Sequence, residues 1–176
     1  MRKGCILWFT GMSGAGKTTL SIVVRDQLLS RGFRVELLDG DWIRANMNQD
    51  LGFSEADRIE NVHRISIVAE LLCKHDVIVL VAAMSPYREQ RESIKRRLGN
   101  VLEVYVSCPI SVLISRDTKG LYKRAITGKM QDLPGMTTPY EVPLAPHVVV
   151  DSSLETPLES ASRVWEVLGG TEWLGV

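Results

Sequence analysis

The chain has 176 residues, of which 45% are hydrophobic and 24% charged, a composition that excludes a disordered segment or an integral membrane protein. Its 21 basic residues balance its 21 acidic residues, so no net field attracts nucleic acid or an anionic membrane, and neither is expected as a partner. Three scattered cysteines in apolar surroundings indicate reduced thiols, and the N-terminal apolar run leads into glycines instead of a cleavage site, so we expect a cytoplasmic protein.

Strand and helix patterns alternate from the N-terminus onward. Apolar runs of strand length occupy residues 5–10, 33–39, 76–83, 101–106 and 147–151. Helical spacing of apolar residues occupies 18–29, 54–73, 86–98, a segment from 109 and 157–168. Five apolar strands alternating with helices predict a three-layer α/β fold with a five-stranded parallel sheet, in one domain over 1–176.

Regularity fails between residues 118 and 146. This stretch holds four of the seven prolines and three glycines. A long irregular segment inside a compact domain is usually functional or mobile, so we predict a mobile lid there.

The segment "GMSGAGKT", residues 11–18, matches the phosphate-loop pattern G-x-x-x-x-G-K-[ST] at every fixed position. It follows a predicted strand and opens a predicted helix, which is the context that the motif requires. Backbone N–H groups of such a loop surround the phosphates of a nucleoside triphosphate. We therefore predict that a nucleoside triphosphate is bound by Gly11, Ser13, Gly14, Ala15, Gly16, Lys17, Thr18 and Thr19. Lys17 would also act in catalysis by neutralising the β- and γ-phosphates, and the Thr18 hydroxyl would hold Mg²⁺.

The rest of the chain narrows the class of nucleotide-binding protein. It lacks the Asn-Lys-x-Asp of a GTPase, and the run "VIVLVAAMS" does not end in the acid of an energy-coupling ATPase. A short chain with a long insert favours a small-molecule kinase whose lid excludes water.

The second strand ends in "LDGDWIR", residues 38–44. A solvated turn is one interpretation of two aspartates around a glycine. The phosphate loop favours another, because ligands of parallel sheets bind at the carboxyl ends of the strands. Asp41 would then orient the acceptor hydroxyl and take its proton, Asp39 would contact the Mg²⁺ waters, and Arg44 would reach an anionic acceptor.

Seven segments occur in register: "GMSGAGKTT", "LDGDWIR", "LGFSEADRIENVHRI", "SPYREQR", "EVYV", "RDTKGLYKRA" and "PYEVPLAP". Together they closely resemble the adenylylsulfate kinase family, from about Lys3 to Val149. The resemblance implies a P-loop kinase, usually homodimeric, that uses ATP and Mg²⁺. It also implies phosphorylation of the 3′-hydroxyl of adenosine 5′-phosphosulfate to 3′-phosphoadenosine 5′-phosphosulfate, in sulfate activation.

The resemblance also implies roles for single residues, and each has a plainer interpretation. Arg44, Phe53, Arg58 and Asn61 match positions that contact the phosphosulfate nucleotide, although Phe53 could be a core ring and Arg58 and Asn61 a solvated helix face. Ser85 matches a serine described in the family as a phosphoserine intermediate. Because no base neighbours it in the sequence, we place Ser85 in the site without assigning it that chemistry.

Two further groups of basic residues belong to this comparison. Arg88 and Arg91 are interpreted as a basic helix face, with ligand contact as the alternative. Arg116 and Lys119 match the start of the family's lid and are predicted to contact ATP on closure.

Three residues depart from the family pattern. Trp42 replaces an asparagine or small apolar residue, Gln131 replaces a cation, and Leu133 replaces an aromatic residue that stacks on the substrate adenine. Leu133 is still predicted to contact substrate. These departures leave two alternatives open: a kinase for the ribose hydroxyl of another nucleotide, such as a pyrimidine diphosphate conjugate, and a non-catalytic nucleotide-binding module. The three histidines are unclustered, so no metal other than Mg²⁺ is expected.

Overall fold

A computed structural model describes residues 4–174. The strands in this range are β1 (Ile6–Thr10), β2 (Val35–Asp39), β3 (Ile78–Ala82), β4 (Val101–Ser107) and β5 (Val148–Asp151). The α-helices are α1 (Lys17–Ser30), α2 (Gly40–Asn46), α3 (Glu55–Cys73), α4 (Arg88–Leu98), α5 (Ile110–Arg116), α6 (Leu121–Ile126) and α7 (Pro157–Gly169). A single 3₁₀ turn follows at Glu172–Leu174.

The five strands form one parallel sheet in the order β2-β3-β1-β4-β5. Strands β1 and β3 are buried along their whole length, which explains why their sequences are apolar without alternation. The strand order reverses at β1, so the carboxyl end of β1 is the point at which parallel sheets of this type bind ligands. The predicted α/β fold and parallel sheet are confirmed.

Two apolar clusters cover the two faces of the sheet. Leu28 of α1 and Val164 of α7 belong to one cluster, and Ile43 of α2 and Ile65 of α3 belong to the other. The sheet therefore has helices on both sides, as the three-layer prediction requires. In the described part of the chain, no helix is both long and apolar enough to cross a bilayer.

Helix α2 was not predicted, although the sequence contains an N-cap residue, Asp39, at its start. The Asp39 side chain accepts hydrogen bonds from the backbone N–H groups of Asp41, at 3.0 Å, and Trp42, at 3.2 Å. This N-cap begins a helix directly from the last residue of β2. The Asp-Gly-Asp segment is therefore a strand-to-helix junction and not a solvated turn.

The segment between 118 and 146 is less irregular than predicted. It contains α6, and an isolated bridge joins Pro134 to Thr138. Its mobility stays a prediction.

The cysteines at 5, 73 and 108 are buried and free of disulfide bonds, in agreement with the interpretation as packed thiols. Burial raises the pKa of the Cys5 thiol to about 12, which keeps it protonated and unreactive.

Candidate active site

A cavity of about 770 Å³ opens at the carboxyl ends of β1, β2 and β3. This volume lies within the range of small-molecule sites, roughly 300–1,000 Å³. Its walls contain most of the predicted site residues: Ser13, Gly14, Gly16, Lys17, Thr18, Thr19, Asp39, Asp41, Arg44, Phe53, Arg58, Asn61, Ser85, Lys119 and Leu133. Three other predicted site residues, Gly11, Ala15 and Arg116, do not line it.

The phosphate loop has the backbone that its glycines permit. Gly14 and Gly16 have φ angles of +74° and +96°, a region that other residues rarely adopt, and α1 begins directly after Gly16. At Gly11 a Cβ atom would lie 2.4 Å from the carbonyl oxygen of Val106. Ala15 is buried and its N–H donates to Met12, so Gly11 and Ala15 shape the loop from behind.

The side chain of Lys17 contacts the backbone of the phosphate loop. Its Nζ donates to the carbonyl oxygens of Gly11, at 2.8 Å, and Met12, at 2.7 Å. Burial, and secondarily the nearby charge of Lys119, lower the pKa of Lys17 to about 8. The ammonium group is thus placed to meet an anion before any ligand arrives.

Thr18 and Asp39, the two predicted metal-binding residues, are in contact. The Thr18 hydroxyl donates to Asp39 Oδ2 at 2.6 Å, while Asp39 Oδ1 caps α2. A hydroxyl and a carboxylate are the oxygen ligands that Mg²⁺ prefers. In the part of the chain that the structure describes, no cluster of three or more His, Cys, Asp or Glu residues could hold a metal.

Asp41 lies in the first turn of α2 at the cavity wall. Its side chain is 72% exposed and forms an ion pair with Lys119 from the segment after α5. The exposed carboxylate and the lid lysine therefore meet across the mouth of the cavity.

Another part of the cavity wall holds an aromatic ring that lies close to two guanidinium groups. Phe53 is 51% exposed, and its ring centroid lies 4.8 Å from Cζ of Arg44 and 5.5 Å from Cζ of Arg58. The interpretation of Phe53 as a core ring is wrong. An exposed ring at the cavity wall can stack on a planar ligand.

The polar residues of this wall are held by other contacts. Arg44 Nη1 donates to the carbonyl oxygen of Gly52 at 2.6 Å, and Arg58 Nη2 donates to that of Asp132. Asn61 Oδ1 accepts from Asn48 at 3.0 Å. Arg58 and Asn61 are buried, so the solvated-face interpretation is wrong for both.

Comparison with known proteins agrees with this geometry. Residues 3–151 match the family described as adenylylsulphate kinase. The chain belongs to the adenylylsulphate kinase family. An adenylyl-sulfate kinase of Microcystis aeruginosa (strain NIES-843 / IAM M-2473) is 47% identical over 95% of this chain and 92% of the relative. One of Synechococcus sp. (strain JA-2-3B'a(2-13)) is 51% identical over 95% of both.

A solved structure extends the agreement to three dimensions. The Mycobacterium tuberculosis APS kinase CysC, in complex with AMPPNP and APS, is 37% identical, has a TM-score of 0.91, and is matched over 97% of this chain and 100% of its own. The predicted family, the P-loop kinase fold and the assignment as an ATP-dependent kinase are confirmed.

Ser85 of this adenylylsulphate kinase family member is 1% exposed and has a φ angle of +29°. Its Oγ accepts from Trp8 Nε1 at 3.0 Å and donates to Thr10 Oγ1 at 3.0 Å. Its described partners include no carboxylate or imidazole that could remove its proton, which agrees with leaving the phosphoserine role unassigned.

Leu133 of the lid and Arg116 at the end of α5 take positions that the family pattern did not predict. Leu133 is fully buried and packs in the same apolar cluster as Tyr122, although it still contributes to the cavity wall. Arg116 donates to the carbonyl oxygen of Ser152 at 2.7 Å and to its Oγ at 3.2 Å. In this state Arg116 contacts the loop after β5, and its contact with ATP stays a prediction.

Sequence reasoning missed several residues at this site. Arg91 is buried, so its interpretation as part of a basic helix face is wrong. The buried Tyr122 donates to the Ser13 carbonyl oxygen at 2.8 Å, and burial raises its pKa to about 12. Arg124 and Lys129 also line the cavity. Tyr122 and Arg124 lie in the segment "RDTKGLYKRA", whose resemblance to the family was the available sequence signal.

Proposed function

We propose that this chain transfers the γ-phosphoryl group of ATP to the 3′-hydroxyl of adenosine 5′-phosphosulfate. The observation that carries the proposal is one continuous cavity that joins the phosphate loop to the wall of Arg44, Phe53 and Arg58. Asp41 lies on its wall. Family membership and the APS-bound relative support the choice of acceptor.

Asp41 would orient the acceptor hydroxyl and take its proton as the new bond forms. In the present state its carboxylate is paired with Lys119. An incoming triphosphate offers Lys119 stronger anionic partners, so nucleotide binding would release Asp41 for the acceptor. Lys119 would then stabilise the charge on the transferring phosphoryl group.

The phosphate side needs charge neutralisation and alignment. Lys17 and the N-terminal N–H groups of α1 supply positive potential at the loop. The oxygen atoms of Thr18 and Asp39, 2.6 Å apart, fit Mg²⁺ and would hold it. When bound there, the ion would neutralise charge on the β- and γ-phosphates.

The acceptor side combines anion recognition with stacking. Arg44 uses Nη1 for hydrogen bonds to two backbone carbonyl oxygens, and Arg58 uses Nη2 for a hydrogen bond to one. Their other donors suit the oxygen atoms of a phosphosulfate group. Phe53 provides a face for the purine, a role that Leu133 does not fill from its buried position.

We also propose a homodimer in the cytoplasm. Ile59, Ile67 and Leu71 lie on one face of α3 and are 41%, 41% and 55% exposed, which supports an apolar contact surface. Light scattering coupled to gel filtration tests the assembly. A monomer at micromolar concentration would contradict it.

The acceptor is tested with a coupled assay of ADP release over a panel of nucleotides. Adenosine 5′-phosphosulfate should be turned over at least about 100-fold faster, per kcat/KM, than adenosine monophosphate or a pyrimidine diphosphate conjugate. Equal turnover of the pyrimidine conjugate would favour the alternative kinase. ATP binding without turnover of any acceptor would favour a non-catalytic module.

A further inference from the structure

The carboxyl-terminal end of the lid is held to the sheet by a dense set of polar contacts. Tyr140 hydrogen-bonds through its hydroxyl to Thr10 Oγ1 at 2.9 Å, directly before the phosphate loop. The N–H of Glu141 donates to the carbonyl oxygen of Pro86 at 3.0 Å, and Glu141 Oε2 accepts from the N–H of Arg88 at 2.6 Å. This end of the lid is therefore tied both to β1 and to the start of α4.

Arg91 lies at the centre of these contacts. It is 2% exposed, and its Nε donates to Glu103 Oε1 at 2.9 Å. Its Nη1 donates to the carbonyl oxygen of Ser85 at 2.6 Å, and its Nη2 donates to that of Glu141. One planar guanidinium group thus connects β4, the turn after β3 and the end of the lid.

Stability alone does not explain this arrangement. Glu103 is 1% exposed and is paired with Lys95 at 2.7 Å as well as with Arg91. Burying such charges carries a desolvation cost that apolar residues of similar size often avoid. What apolar residues lack is the fixed fork of donors that sets three backbone segments at defined positions.

We propose that Arg91 is a positioning residue for phosphoryl transfer. It fixes the Ser85 turn, whose neighbours Met84 and Pro86 line the cavity, and it fixes the carboxyl-terminal end of the lid. Closure on nucleotide then takes place through residues 118–139. The inference rests on the proposed function only in assuming that a closed lid precedes transfer.

At the opposite end of the lid Tyr122 is a buried anchor, but the contact that reaches Asp41 across the cavity is exposed, which supports this division. Lys119 and Asp41 form an ion pair between side chains that are 47% and 72% exposed, and such pairs contribute little and exchange partners easily. The contacts of Arg91 with Glu103 and Ser85, by contrast, are buried, and its contact with Glu141 is partly buried.

The experiment uses two variants and a matched control from the same helix. R91K keeps the positive charge but not the fork, and the double variant R91M/E103Q removes both buried charges together. The control is R96K, since Arg96 is exposed and its ion pair within residues 4–174 is with Glu89 on the surface. Thermal midpoints and AMPPNP binding stoichiometry define the folded fraction to which rates are normalised.

We expect both Arg91 variants to lose at least about tenfold in kcat while the KM for ATP stays within about twofold, because a small misplacement of the cavity wall affects the reacting geometry. We also expect AMPPNP to protect the basic residues of the lid from trypsin in the wild type but not in the Arg91 variants. R96K should match the wild type in both. Folded variants with normal kcat and normal protection would overturn the proposal.

A measurement on the wild type keeps the proposal testable if neither variant folds. The amide of Glu141 should exchange its hydrogen much more slowly than the amides of 128–132, and AMPPNP should slow exchange only in the latter. Equal exchange at the two places would overturn the inference. If AMPPNP slows hydrogen exchange in the lid but adenosine 5′-phosphosulfate is not turned over, the proposed function is wrong and the positioning role of Arg91 still holds.

Discussion

The two halves of the cavity are built in different ways. The phosphate half comes from one contiguous segment, residues 11–19, and its binding groups are mainly backbone N–H groups held by glycine geometry. The acceptor half gathers side chains from α2, α3, the turn after β3 and the lid. The first can be recognised from spacing alone, whereas the second exists only once the fold has assembled it.

The difference has a functional consequence. Arg44, Arg58 and Asn61 are already engaged with neighbouring groups, so the acceptor half is preorganised by side-chain contacts. Changes in the phosphate half should affect every nucleotide that binds there. Changes in the acceptor half should affect one substrate and spare the other.

The largest effect is expected at Asp41, where the two halves meet. D41N removes the proton acceptor but keeps the size of the side chain and the cap formed by Asp39. We expect kcat to fall by about 100-fold or more, with little change in ATP affinity. Steady-state kinetics and calorimetry of AMPPNP binding measure the two quantities.

D50N is the matched control, because Asp50 is exposed and pairs with Arg64 outside the cavity. Its kcat should equal that of the wild type. A D41N enzyme with near-normal kcat would remove Asp41 from the role of base.

A smaller and more selective effect is expected at Phe53. F53A removes the exposed ring beside Arg44 and Arg58, and loss of base stacking costs about 1–3 kcal/mol in single-strand binders. The KM for the acceptor should therefore rise by about tenfold or more, while the KM for ATP stays within about twofold. L29A removes an apolar side chain of similar exposure far from the cavity and should change neither constant. An equal rise in both KM values in F53A would contradict the division into halves.

The phosphate half should show its own dependence on pH through Lys17. Its pKa of about 8 means that the ligand-free protein loses this charge as pH rises past 8. ATP stabilises the charged form, so affinity should be constant below pH 8 and fall by up to about tenfold per pH unit above it. The free energy of unfolding should change in the opposite sense, rising between pH 8 and 10.5, because there the unfolded chain binds more protons at Lys17 than the folded protein.

Calorimetry in buffers of different ionisation enthalpy measures the proton uptake that accompanies ATP binding. K17R is the control, since arginine keeps its charge over this range and should give a flat profile. Proton uptake that persists unchanged in K17R would assign the titration to another group.

The same contrast explains how much the sequence could predict. The phosphate loop, the strands and most helices follow from local patterns, and the structure agrees with them. The buried position of Arg91 could not be predicted, because the sequence of its helix is strongly basic. No pattern near it in the sequence indicates that the Glu103 carboxylate and the Glu141 carbonyl oxygen both contact it. Helix α2 could have been predicted, since Asp39 is an N-cap residue followed by helix-compatible residues.

The smallest effect is expected at Trp42, the family departure that first suggested another acceptor. Trp42 is 57% exposed and does not line the cavity, and among the described residues its hydrogen bond with the site is made by a backbone N–H to Asp39, which any residue other than proline supplies. W42N should therefore change kcat and both KM values by less than about twofold, since exposed substitutions away from special contacts are nearly neutral. If W42N instead changed the KM of the acceptor alone by about tenfold, the ring would have to reach the cavity when the lid closes, and α2 would count as part of the acceptor half for specificity as well as catalysis.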